Sequence, residues 1–85
     1  MIHELKTWSV PFEAVIGGNK TFEVRRHDRP FRVGDTLRLR EYDPVSRSYR
    51  GRACDVDVTY IIEGDQFGIA PGYCVMIIRR KGTET

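Results

Sequence analysis

The sequence predicts a mainly β (α+β) domain, a small pseudo-β-barrel of about five to six mostly antiparallel strands with one short helix near the N-terminus. Three observations predict it. Apolar and polar residues alternate over successive short runs, the period of a half-buried strand. Glycine, proline and aspartate punctuate those runs at short intervals. Only one stretch shows helical spacing, and a small sheet with little else to cover it must close or shield its edges. The 85 residues hold one domain, placed at 1–81, with a frayed tail at 82–85.

Ile2 to Lys6 reads as the first strand. Ser9 is the expected helix cap, with Pro11 in the first turn, where its missing N–H does no harm. Phe12, Val15 and Ile16 fall on one helical face, and Gly17-Gly18 ends the helix. In the next run Phe22 and Val24 are assigned to the buried face and Thr21, Glu23 and Arg25 to the polar one. His27-Asp28-Arg29-Pro30 is a turn, with His27 on the surface. Val33-Gly34-Asp35 leads into a strand from Thr36 to Tyr42, with Leu37 and Leu39 inward and Arg38, Arg40 and Tyr42 outward. Asp43 to Ser48 is a hairpin loop. A long strand follows, with Cys54, Val56, Val58 and Tyr60 assigned to the core. Gly64 to Gly72 is a loop, and Tyr73 to Ile78, apolar on both faces, is expected to be an interior strand.

Composition excludes several classes. The chain is 40% hydrophobic and 31% charged, which is ordinary for a globular domain and not for a disordered one. No apolar run approaches the ~20 residues of a membrane-spanning helix. Met1 to Lys6 lacks the apolar core of a signal peptide, so a cytoplasmic location is expected. Cys54 and Cys74 are then expected to be free, buried thiols. They and the two histidines show no paired ligand spacing, so neither metal nor other cofactor is expected. Net charge is only +2, yet Arg25 to Arg52 holds nine arginines, no lysine and four carboxylates. Arginine's planar fork suits phosphates and base edges, while the simpler alternative is a solvated face of local ion pairs.

Gly18-Asn19-Lys20-Thr21-Phe22-Glu23-Val24-Arg25 has the form G-x-K-x-x-E-x-R at the exit of a short helix, followed by Phe31-Arg32-Val33-Gly34-Asp35-Thr36-Leu37. Together these resemble the ASCH domains (activating-signal-cointegrator homology) of the PUA-like superfamily. With His3-Glu4-Leu5-Lys6, Arg26-His27-Asp28-Arg29, Glu41-Tyr42 and Tyr49-Arg50-Gly51-Arg52 added, the chain is most similar to a small uncharacterised ASCH-like family of bacteria and phages. The resemblance implies a pseudo-barrel with a cleft between the helix exit and the strand holding Glu23 and Arg25, and a role in binding RNA or a modified nucleotide. Some small ASCH proteins hydrolyse acylated cytidines with a lysine, a threonine and a distant glutamate. The lysine matches Lys20, but Glu23 stands at the threonine's place and the loop at Gly64 to Gly72 replaces the helical insertion that bears the glutamate.

The expected pocket residues are therefore Lys20, Thr21, Glu23 and Arg25. Lysine could hold a phosphate, a carboxylate could accept from an exocyclic amine, and arginine could clamp either bidentately. Arg26, Arg29, Arg38, Arg40 and Arg50 are expected to form an electrostatic apron for a nucleic-acid backbone, and Tyr42 and Tyr49 to offer base-stacking rings. Trp8 is assigned to packing against the helix. No catalytic residue is firm. If the domain is an enzyme, a nucleoside amidohydrolase or ribonuclease, Lys20 and Glu23 are its candidates. A protein-interaction accessory domain is the third reading.

Overall fold

A computed structural model describes residues 1–81, and the tail expected at 82–85 lies outside the described residues. Five strands and one helix follow in the order β1 (Ile2–Trp8), α1 (Ser9–Ile16), β2 (Phe22–Arg26), β3 (Thr36–Asp43), β4 (Ser48–Glu63) and β5 (Tyr73–Arg80). They form one curled sheet, a half-barrel, in the order β1-β3-β4-β5-β2. Only β1 and β3 run parallel; the other three pairings are antiparallel. The mainly β pseudo-barrel with one early helix is the fold the sequence predicts.

The concave face of the sheet and α1 enclose the core. Leu37 and Leu39 of β3, Val56 and Val58 of β4 and Met76 of β5 are fully covered, as are Phe12 and Val15 on one face of the helix. Each such side chain contributes about 1.5–3 kcal/mol of transfer free energy, and the sheet supplies most of them. The helix differs from expectation at its start. Trp8 occupies the cap position without a side-chain cap bond, and Ser9 is the first helical residue. Its end is as read, with Gly18 in the left-handed region at φ 83°.

Two irregularities re-aim side chains. Between β3 and β4 the register steps from Arg40↔Ala53 to Tyr42↔Tyr49, leaving Arg50, Gly51 and Arg52 opposite Glu41. The Arg52 guanidinium consequently reaches both oxygens of buried Glu41, at 2.9 and 3.1 Å, and also bonds Glu13 of α1. That network ties the helix to β3 and β4. Hydrogen bonds from Arg52 and Ser9 hold the Glu41 carboxyl down to about 2.

The second bulge corrects a sequence assignment. The register of β4 against β5 steps from Val58↔Ile78 to Tyr60↔Ile77. The extra residue, Thr59, reverses the facing of everything after it, so Tyr60 leaves the core and is 61% exposed. Strand alternation cannot anticipate a bulge.

Strand β2 carries a larger correction. Phe22 and Val24, assigned to the buried face, are 42% and 53% exposed, while Glu23 between them is 3% exposed. The inward side of this edge strand is polar because cations wait there for the carboxylate. Gly64 closes β4 where only glycine fits: a Cβ would lie 2.3 Å from the Ala70 carbonyl oxygen. Asp35, entered through Gly34 at φ 96°, accepts from His3 Nε2 at 2.8 Å and from the Arg32 amide at 3.0 Å. Burial alone would push its carboxyl up, but those bonds outweigh burial and hold it low.

Candidate functional site

The sheet edges β1 and β2 meet without a backbone ladder among the described residues. Side chains bridge them instead. Arg25 of β2 donates through Nη2 to the Lys6 carbonyl at 2.8 Å and to Thr7 Oγ1 at 3.4 Å. Arg29, just beyond β2, donates to the Glu4 carbonyl at 3.1 Å. Arginine suits this task because its several N–H groups can satisfy a strand's free carbonyls and a carboxylate together. Edge protection and site construction thus share residues.

Glu23 lies at the centre of the seam. Arg25 Nε donates to Glu23 Oε2 at 2.9 Å, and Lys20 Nζ donates to Glu23 Oε1. Lys20 also donates to the Phe22 carbonyl at 2.7 Å, and its ammonium lies 5.0 Å from the Phe22 ring centre. Lys20 is held here because α1 ends at Gly17-Gly18 and the chain turns back, with the Lys20 and Asn19 amides both bonding the Ala14 carbonyl. Three residues of G-x-K-x-x-E-x-R therefore form one ion triad, two cations around a buried carboxylate.

A cleft of about 340 Å³ opens over the triad. Its walls add Lys6, Arg26 and Trp8, so four cations stand against one carboxylate. Trp8 is 61% exposed and does not pack against the core as expected. Among the expected pocket residues, Lys20, Glu23 and Arg25 come together and Thr21 does not. Thr21 lines a separate hollow with Val15, Val56 and Ile78, and its carbonyl accepts from the Ile78 amide. Sequence reasoning missed Lys6 and Trp8 as cleft residues. Alternation along β1 was the available signal, since it puts Lys6 and Trp8 on the same outward side.

The arginine apron is largely ion-paired. Arg38 forks onto Asp55 at 2.9 and 3.1 Å, Arg50 lies 3.6 Å from Asp43, and Arg29 serves the seam. Arg26 has no carboxylate partner among the described residues, and Arg40 reaches Glu4 only at 3.5 Å. Tyr42 faces outward as read, and Tyr49 opposite it shares that face. The register Trp8↔Tyr42↔Tyr49 places three aromatic side chains in a row across β1, β3 and β4. Tyr42 and Tyr49 meet edge to face at 5.2 Å, with Lys6 over one ring at 4.6 Å and Arg40 over the other at 3.9 Å. The adjacent row pairs Lys6 with Arg40. An aromatic row beside a cationic row runs from the cleft onto the sheet's outer face.

A wider, shallower cleft of about 570 Å³ lies at the opposite end of the seam. There His27, read as a plain surface residue, sets Nδ1 2.9 Å from Glu63 and stacks on Phe31. Asp28 and Asp65 share that cleft. No group of three or more His, Cys, Asp or Glu side chains is placed to hold a metal among the described residues. No helix of the structure is long and apolar enough to cross a membrane. Cys54 and Cys74 are free and buried.

Fold and cleft define a small half-barrel whose side-chain-bridged seam carries a cation-rich site. The chain belongs to the family described as a domain of unknown function, DUF3850, whose model matches residues 2–78. It is 36% identical over 62 residues to an uncharacterised 12.9 kDa protein in the GpA 3′ region of Escherichia phage P2. That match covers 73% of this chain and 55% of the phage protein, so the chain spans about half the length of that relative.

Proposed function

We propose that this domain binds RNA or a modified nucleotide in the cleft over the Lys20–Glu23–Arg25 triad. One observation carries the reading: a buried carboxylate, clamped by two cations, floors a cleft whose walls add two more cations and the exposed ring of Trp8. The excess of positive charge favours a phosphate, and Trp8 offers a flat face to a base. Glu23 has lone pairs left after its two bonds and can accept from an exocyclic amine. The row through Tyr42 and Tyr49, with Lys6 and Arg40 beside it, extends the path for a single strand leaving the cleft. The resemblance of G-x-K-x-x-E-x-R to the ASCH domains of the PUA-like superfamily supports the same reading. Binding is favoured over turnover, because Lys20 is engaged as a hydrogen-bond donor and Thr21 lies outside the cleft. The two buried free thiols fit a reducing setting such as the cytoplasm.

Trp8 is the single tryptophan of the chain, so its fluorescence reports the cleft without a label. Titration with nucleosides and short oligonucleotides should quench it saturably. For an oligonucleotide contacting about three to four phosphates, log K should fall with log salt with a slope of roughly −2 to −3. An unchanged Trp8 signal across the panel at low salt would defeat the proposal.

A further inference from the structure

The two halves of the sheet's outer face differ in kind. Over β1 and β3 that face is charged, with Glu4, Lys6, Arg38 and Arg40. Over β2, β5 and the second half of β4 it is apolar. One register row holds Phe22, Ile77 and Tyr60; the next holds Val24, Val75 and Ile62. Tyr73 follows beside Arg26. Phe22, Val24, Tyr60 and Tyr73 are exposed, and Ile62, Val75 and Ile77 are half-buried, with nothing packed above them among the described residues. A strand apolar on both faces, such as β5, belongs where both faces are covered. Its inner residues Cys74, Met76 and Ile78 are covered by the core, and its outer residues are not.

We propose that this face is covered by the same face of a second copy, giving an isologous two-sheet dimer. The proposal does not rest on the nucleotide reading. Area supports it. These side chains at their exposures leave roughly 500 Å² of apolar surface, and a standard interface takes about 800 Å² per partner, of which about 60% is apolar. Charge placement supports it as well. A half turn about an axis along β5 lays β2 of each copy over β4 of the other, an aligned sheet packing. Arg26, at the C-terminal end of β2, then lies toward the partner's end of β4, just beyond which Asp65 is exposed. Arg79, nearest the axis at the other end, keeps Asp57 as its neighbour on β4. The β4 bulge is what brings Tyr60 to this face. Because Phe22, Val24 and Arg26 also border the Lys20–Glu23–Arg25 cleft, the second copy would wall one side of it.

The test is the mass of the 85-residue chain by sedimentation velocity from about 10 to about 500 µM. A concentration-dependent rise to twice 9.8 kDa is expected. Tyr60→Lys and Val24→Lys, both at exposed positions, should each weaken dimerisation at least about tenfold with the thermal midpoint of the dilute, monomeric chain unchanged. Arg26→Glu should weaken it too, and Arg26→Glu combined with Asp65→Arg should restore it, which fixes the orientation. A monomer throughout the range overturns the proposal, as does a dimer that ignores both Tyr60→Lys and Val24→Lys. A monomer whose Tyr60 and Val75 amides shift on adding a single-stranded oligonucleotide also overturns it and gives the face to nucleic acid.

Discussion

Replacing Glu23 by glutamine tests the triad most directly, because the change keeps the shape and removes only the charge. The wild-type carboxylate accepts from Lys20 on one oxygen and from Arg25 on the other. Glutamine leaves one oxygen for two cations and points an N–H at the second. Removing one partner from a fully buried ion pair costs about 3–5 kcal/mol. Here Lys20 and Arg25 are 19% and 26% exposed along their side chains, and both can turn part-way to water. The expected loss is therefore about 1.5–3 kcal/mol. For a domain of this size that lowers the thermal midpoint by about 6–24 °C, measured by circular dichroism or calorimetry. Binding supplies a second readout. If charge alone drew the ligand, the variant would bind any oligonucleotide more tightly, since its cleft is one charge more positive. If Glu23 orders the cations and reads the base, discrimination among bases falls by about 1–3 kcal/mol while salt-sensitive affinity persists. A midpoint within about 2 °C of the parent would refute the claim that the triad holds β2 to the barrel.

Further outcomes follow from the buried ionisable groups. Glu41 has an ordinary value of 4.5 and is held down to about 2 in the fold, so its contribution to stability is complete above about pH 4.5 and is lost as pH falls toward 2. Glu41→Gln should flatten that acid limb in urea titrations between pH 5 and 2, and an unaltered limb would show that Arg52 does not stabilise the charged form. Burial pushes the Cys74 thiol up, assisted by the nearby carboxylates of Glu63 and Asp28. Both thiols should therefore react with a disulfide reagent only after unfolding in denaturant; rapid reaction of the native protein at pH 8 would contradict the buried placement of Cys54 and Cys74.

The sequence by itself determined the elements and most of the core. Regular alternation set Leu37 and Leu39 against Arg38 and Arg40, and Val56 and Val58 against Asp57, because over those residues apolar and charged side chains fall on opposite faces. Glycine conformation ended the helix at Gly17-Gly18, since at Gly18 an L side chain would be strained. The motif through Lys20, Glu23 and Arg25 marked the right place for a site, since residues three and two apart near a strand start fall within reach of one another.

Tertiary structure alone decided which way that site faces. In β2 both sets of side chains could be buried, the apolar pair by packing or the carboxylate by pairing. The choice fell to Lys20, Arg25 and two acceptors on β1, the Lys6 carbonyl and the Thr7 hydroxyl, which the sequence keeps 19 and 18 residues away from Arg25. One inserted residue at the β4 bulge sent Tyr60 outward, and no alternation pattern registers an insertion whose cost is met by the neighbouring strand. The partners of the arginines were likewise decided in space. Period and spacing report which residues share a face; long-range pairing settles which face meets solvent, and that follows from contacts between segments distant in sequence.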